Sequence, residues 1–372
     1  MKRALVIAVV TLIVVPIVAL IGAKIHYHTS AEQLAEADSM AQKYYASIDR
    51  VDQAPKAMWE QLDAISKIKD KDFYTLPESI DAANKCPGID VATLEPEQAR
   101  WDRAWKSGKP LAGMPPDQLI VWVDRNSGRI LNMKNSRSMS LFWNLSAVLD
   151  YRKDDKARAM QKFDASLNLV QALDSTPALI IAMVAVGIEA KTYMTALNVM
   201  PIMDEADLQN LRNKVAALPD PMTNFVESVG VEGATAYRTY RNLDLEEAGF
   251  DGITATVIRM SGYLNNQAVK FAKFYGRAID EIQTWQANDY QGDLPDFKAI
   301  ARAIDGSMVD MVPEVDRLAQ QIHKQVIWRK NVLDTIDYLL KNKIPAGETV
   351  TLPFDYEYEF SISADKGCMQ KK

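Results

Sequence analysis

Histidine and cysteine are the scarce residues of this chain, three and two among 372. Their scarcity removes much metal and nucleophile chemistry at the outset. His26 and His28 stand together, but no Cys, Asp or Glu lies close to them before Glu32. The pair therefore reads as polar residues at a membrane–water boundary, not as metal ligands. His323 is the remaining histidine, and no recognisable nucleophile accompanies it, so Ser-His-Asp catalysis has little to rest on. Cys86 and Cys368 are too far apart in sequence to form a redox CxxC or half of a zinc site. In an exported protein they are candidates for a disulfide tying the C-terminal tail to an early loop; two separate thiols is the alternative.

Other signatures are missing too. There is no phosphate loop, no G-x-G-x-x-G, no H-E-x-x-H, no G-x-S-x-G and no EF-hand loop. The expectation is a non-enzyme, with no catalytic residue, no cofactor and no metal. An excess of positive charge is absent as well. The formal charge is −6, and leaving out Lys2 and Arg3 makes it about −8. That balance argues against nucleic acid as a partner and against adhesion to anionic lipid.

What is present begins with an apolar run from Ala4 to Ala23, in which Thr11 is the one hydroxyl. As a helix, twenty residues at about 1.5 Å each span about 30 Å, the thickness of a bilayer core. The run exceeds the apolar stretch of a signal peptide, and Ile21-Gly22-Ala23 lacks the small-x-small cleavage pattern. We expect an uncleaved signal anchor, with residues 4–23 in lipid. Lys2 and Arg3 ahead of the run place residues 1–3 in the cytoplasm. The body then lies on the far, periplasmic side of the cytoplasmic membrane.

The body reads as mainly helical. Ser30 with Gln33, and Thr29 with Glu32, fit a capping box and open a helix to about Arg50. Pro55 to Lys67 is a second helix, and Glu95 to Lys106 a third that carries Trp101 and Trp105. Asn126-Ser127-Gly128 between two β-rich runs favours a hairpin over residues 119–131; a helix with Leu119, Val123 and Ile130 on one face is the alternative. Ser138–Tyr151 and Asp155–Leu173 form a helical hairpin, and Thr176-Pro177 starts the next helix with Pro in its first turn. The run Ala178–Ile188 is apolar on every side, but eleven residues are too few to span a membrane, so it predicts a core helix. Helices follow at about Asp204–Leu218, Asn224–Leu245, Thr254–Ala287, Pro295–Ile304 and Val312–Lys341. Gly262 and Gly276 are either close-packing points or breaks in Thr254–Ala287. Last, Val350 to Ile362 alternates apolar even positions with polar odd ones, the pattern of a strand with one buried face. Pro353 puts it at an edge or splits it.

Trp143, Ala147, Ala159, Phe163 and Ser166 stand at the spacing of a tetratricopeptide repeat, with Asp154-Asp155 at its inter-helix turn. Residues 140–173 thus resemble one such unit, although Gln171 replaces the closing Pro. The resemblance implies a binding or scaffolding surface built on helical hairpins. The whole layout is also similar to membrane-anchored bacterial envelope proteins of unknown function. Repeat arrays need about three units, so an irregular α-domain is the alternative.

The expected organisation is a cytoplasmic tail (1–3), an anchor (4–23), a helical and loop region with the hairpin (24–137), and TPR-like hairpins (138–218). A further helical region (219–345) and a C-terminal strand with its tail (346–372) complete it. The expected fold class is mainly α, with a small antiparallel β element that includes the C-terminal strand. The expected function is protein interaction or scaffolding in the cell envelope, with membrane lipid and other envelope proteins as partners. A ligand-binding or sensory domain, using a pocket between helices and sheet, is the alternative. A glycan-active enzyme is the third reading; it would need a carboxylate pair from Asp244, Glu246 and Glu247 or from Asp355, Glu357 and Glu359 across a groove.

Overall fold

Among the described residues the elements up to Lys341 are helices, and three strands follow it. The protein is known from a computed structural model that describes residues 15–67, 91–121, 133–290, 294–309, 315–353, 358–365 and 367–371. The early helices are α1 (Val15–His26), α2 (Ala31–Asp52), α3 (Lys56–Ser66), α4 (Val91–Leu94) and α5 (Gln98–Ala112). The central ones are α6 (Met133–Arg152), α7 (Lys156–Asp174), α8 (Leu179–Ala196) and α9 (Glu205–Ala216). Then come α10 (Pro221–Asn242), α11 (Gly252–Ser261), α12 (Tyr263–Ala287), α13 (Phe297–Ile304) and α14 (Val315–Lys341). Strands β1 (Thr349–Pro353), β2 (Tyr358–Ser363) and β3 (Gly367–Lys371) form one antiparallel sheet in that order.

The chain divides into two units, and neither is continuous in sequence. One gathers the residues up to Ile48 and Val229–Asp316; the other gathers Asp49–Ser228 and Arg317–Lys372.

The larger unit is built around α5, α6, α7 and α8. The turn after α6 is tight, with Asp154 at φ 68° and the Asp155 carboxylate accepting from the Arg158 amide. This short turn returns α7 along α6, and α8 packs on both. Polar side chains stitch the stack. Asn144 Nδ2 donates to Thr192 Oγ1 (3.0 Å), and Asn168 Nδ2 donates to the Leu111 carbonyl (2.8 Å). Met58, Leu62 and Ile65 of α3 are buried, as their spacing predicts, and so are Leu208, Leu211 and Val215 of α9.

α8 begins at Leu179, not in a turn that holds Pro177. Thr176 Oγ1 donates back to the Ala172 carbonyl and accepts the Val121 amide, so the chain leaves α7 extended before α8 starts. α8 is the one described helix long and apolar enough to cross a membrane, and 56% of it is buried inside the protein. Its Glu189 is fully buried and ion-paired, which fits a core helix.

The C-terminal alternation belongs to two strands, not one. Val350 pairs with Ile362, Leu352 with Phe360 and Pro353 with Glu359. Partners directly opposite in an antiparallel pair share a face. Even positions therefore stay on one face through the reversal, and the period-two pattern conceals it. Phe360 and Ile362 are fully buried and join the helical core. Pro353 sits on β1, an edge strand of the described sheet. Residues 122–131 of the expected hairpin lie outside the described residues, while Leu119 and Val121 are buried.

In the smaller unit, α2, α10 and α12 bury Ala37, Ala41, Val231, Ala234, Ala268 and Ala272. A Cβ on Gly230 would meet the Tyr44 ring at 2.2 Å, and one on Gly233 would meet Tyr275 at 2.6 Å. The glycines of α10 thus let two tyrosines lie on its backbone. The capping box forms: the Gln33 amide donates to Ser30 Oγ (3.1 Å), and the Ser30 amide donates to Gln33 Oε1 (3.0 Å). Of the two glycines singled out, Gly262 is the break. It separates α11 from α12 at φ 79° with the Tyr27 carbonyl against it, whereas Gly276 lies inside α12.

Candidate functional site

The five hairpin residues Trp143, Ala147, Ala159, Phe163 and Ser166 are all fully buried in the larger unit. Ser140 Oγ donates to Ser166 Oγ across α6 and α7 (3.1 Å). Trp143 donates to the Ala104 carbonyl (3.2 Å) and meets the Trp105 ring edge-on. A Cβ on Gly108 would come within 2.4 Å of the Trp143 ring, so α5 approaches α6 through a glycine. Trp101 and Trp105 are buried too and belong to the same core.

The other candidates from the sequence fall into three places. Asp244 accepts from the amides of Glu246 and Glu247 and shapes its own turn. Asp355 and Glu357 lie outside the described residues, as does Cys86, so its pairing with Cys368 of β3 falls outside them as well. His323 is half-buried on α14, and burial lowers its pKa. Among the described residues, no cluster of His, Cys, Asp and Glu could hold a metal ion.

Two buried charge clusters in the larger unit went unread in the sequence. In the first, Arg329 of α14 donates from Nε to Glu189 Oε1 (2.7 Å) and from Nη2 to Glu189 Oε2 (2.8 Å). Nη2 also reaches Asp174 Oδ2 (3.1 Å), and Nη1 donates to the carbonyls of Leu218 and Pro219. Tyr193 donates to Glu189 as well. Burial raises Asp174 to about 8, with the Glu189 charge adding to the effect and Arg329 opposing it. Burial works against the Arg329 charge, but the Glu189 carboxylate and its neighbours outweigh it and hold the guanidinium above its ordinary value. The cluster thus sets one guanidinium against two buried carboxyl groups, and burial favours the protonated form of Asp174.

In the second cluster, Lys162 of α7 is fully buried and donates to Ser146 Oγ (2.5 Å) and to Asp150. Its ammonium stands 5.8 Å from the Trp105 ring centroid. Burial pushes Lys162 down and Asp150 up, and the hydrogen bond between them pulls each back. Perturbed groups of this kind mark candidate sites only where substrate can reach them. Their contacts join α6 to α7, and α14 to α7 and α8.

Among the described residues, clefts open away from both clusters, and no cluster member lines them. In the larger unit, one of about 600 Å³ lies between Met200–Leu208, the end of α14 and Ala364 beside the sheet. In the smaller unit, clefts of about 450 and 270 Å³ flank α12 and share Lys273 and Arg277. On the surface, the core helix α8 leaves Ile180 and Met183 exposed at 48% and 59%. Arg137 lies close to Gly187, one turn further along α8. No family model, curated protein or solved structure matches this chain.

Proposed function

We infer that the chain is a single-pass membrane protein of the cell envelope whose periplasmic helical body binds other proteins. The carrying observation is the bare face of α8. A helix with most of its residues in a core leaves Ile180 and Met183 uncovered, with Arg137 nearby. Met and Arg beside an aliphatic residue match the composition enriched at protein interfaces. The partner suited to this face presents an apolar ridge with a carboxylate for Arg137. The anchor reading draws support from α1, where Ile21 and Ile25 are 53% and 72% exposed, as side chains awaiting lipid would be.

The test is a photo-crosslinking amino acid in place of Met183, activated in native membranes. One discrete protein adduct is expected, and Ile180→Asp should abolish it. Recovery of the monomer alone counts against the reading.

A second reading rests on the cleft beside the sheet. Met200, Met203, Leu208, Leu339 and Ile344 line it together with Lys341, Lys343 and Asp204. An apolar cleft with a few polar groups suits a small amphipathic ligand. Saturable binding that Leu339→Asp removes would favour this reading.

A further inference from the structure

The exposed apolar side chains of the smaller unit concentrate in one region. Eight large hydrophobics stand exposed among the described residues, and five of them are Ile21, Ile25, Phe250, Val257 and Met260. They belong to α1, to α11 and to the turn just before α11.

These two helices pack against each other. The end of α1 is also pinned to the corner between α11 and α12. The Tyr27 ring meets Tyr263 edge-on with centroids 5.2 Å apart, and the Tyr27 carbonyl lies against Gly262. The left-handed φ of 79° favours glycine there, and a Cβ would stand 3.2 Å from that carbonyl, a tight contact. α11 is amphipathic. Ala255 is buried, while Val257 and Met260 stand 47% and 55% exposed. Its polar border carries Arg259, whose guanidinium faces Asp244 and Glu246.

What covers this apolar face follows from where it sits. The residues before α1 continue its apolar character back to Ala4. Whatever solvates that run also reaches the flank of the helix packed beside it. We propose that α11 is an interfacial membrane helix, whose Val257 and Met260, with Phe250, enter the acyl boundary of the leaflet from which α1 emerges. The proposal rests on residues 4–23 being an anchor. An amphipathic helix of this kind sits in the plane of the interface with its apolar side buried about 5–10 Å. Tyr27 and Tyr263 supply aromatic rings at the junction, the residue type enriched at that depth. The acids Asp244, Glu246 and Asp251 around the helix make the attraction apolar and not electrostatic. The lipid recognised is thus the acyl region of a zwitterionic bilayer. The consequence is mechanical: the membrane grips the smaller unit at two points and restricts its rotation about the anchor.

The test uses the full chain in phosphatidylcholine nanodiscs, with p-benzoylphenylalanine in place of Met260, of Val257 or, as the anchor control, of Ile21. Irradiation and mass spectrometry then read lipid adducts. Positions 257 and 260 should give adducts in yield comparable to position 21, unchanged when anionic lipid is added. Val257→Asp should reduce the yield at 260. Adducts at 21 but not at 257 or 260 would overturn this inference and leave the anchor standing. Adducts at none of the three would overturn both. Adducts at 260 to a second copy of the chain, with none to lipid, would also overturn it.

Discussion

Arg329→Met empties the centre of the first buried cluster while keeping much of the side-chain volume. The wild-type guanidinium serves two carboxyl groups and two main-chain carbonyls, and the residue is 8% exposed. Glu189 is fully buried, so after the substitution no solvent can replace the lost donors. Removing one partner of a buried pair costs about 3–5 kcal/mol. In a domain of this size each kcal/mol lowers the melting temperature by about 2–4 °C, so the midpoint should fall by about 6–20 °C. The assay is thermal unfolding of the detergent-solubilised full chain by circular dichroism near pH 7. A companion chain, Arg329→Met with Glu189→Gln, also removes the carboxylate that Arg329 holds in a two-point contact and should recover a large part of the loss. A fall of less than about 2 °C, under about 1 kcal/mol, would refute the reasoning. So would a double variant no better than the single one.

Asp174→Asn should flatten the pH dependence of stability. The folded pKa of about 8 lies above the ordinary 3.8, so the folded chain keeps a proton that the unfolded chain releases. That contribution is full below about pH 4 and fades as pH rises to about 8, at up to about 1.4 kcal/mol per pH unit; melting curves across the range would show the slope in the parent chain and not in the variant. Gly108→Ala drives a methyl into the Trp143 ring and should cost about 1–3 kcal/mol, read as a lower melting midpoint with altered near-ultraviolet dichroism. Ser30→Ala removes the side-chain half of the capping box and should cost about 0.5–2 kcal/mol, seen as faster amide exchange at the start of α2.

Local signals were the legible part of this fold. The capping box at Ser30 and Gln33, the turn at Asp154, and the inward positions of α3 and α9 depend on neighbours within a few residues. The mainly helical class and the β character of the C-terminal segment follow from the same periodicities. The segment reads as one strand, however, and its sheet partners are its own neighbours in sequence. The reversal within the strand pair was hidden because antiparallel pairing preserves parity. The break at Gly262 was one of two readings, and its left-handed backbone, with Tyr27 from a distant part of the sequence packed beside it, distinguishes it from Gly276. The buried clusters were illegible for a related reason. Glu189 and Arg329 are separated by 140 positions and only the fold brings them together. Lys162, on a helix of ordinary polarity, carries no mark of burial in its sequence. The bare faces of α8 and α11 were equally hidden, because an apolar residue announces burial and never its lack of a partner.

The proposed topology anchors the chain and puts its helical body outside the cytoplasm. A direct measurement labels Gln209→Cys, at an exposed position on α9, with a membrane-impermeant maleimide in spheroplasts, followed by alkaline carbonate extraction. That topology predicts labelling above that of the parent chain in intact spheroplasts, with the labelled protein retained in the membrane pellet. Labelling that requires lysis of the cytoplasmic membrane, or a labelled chain that washes into the supernatant, would contradict it.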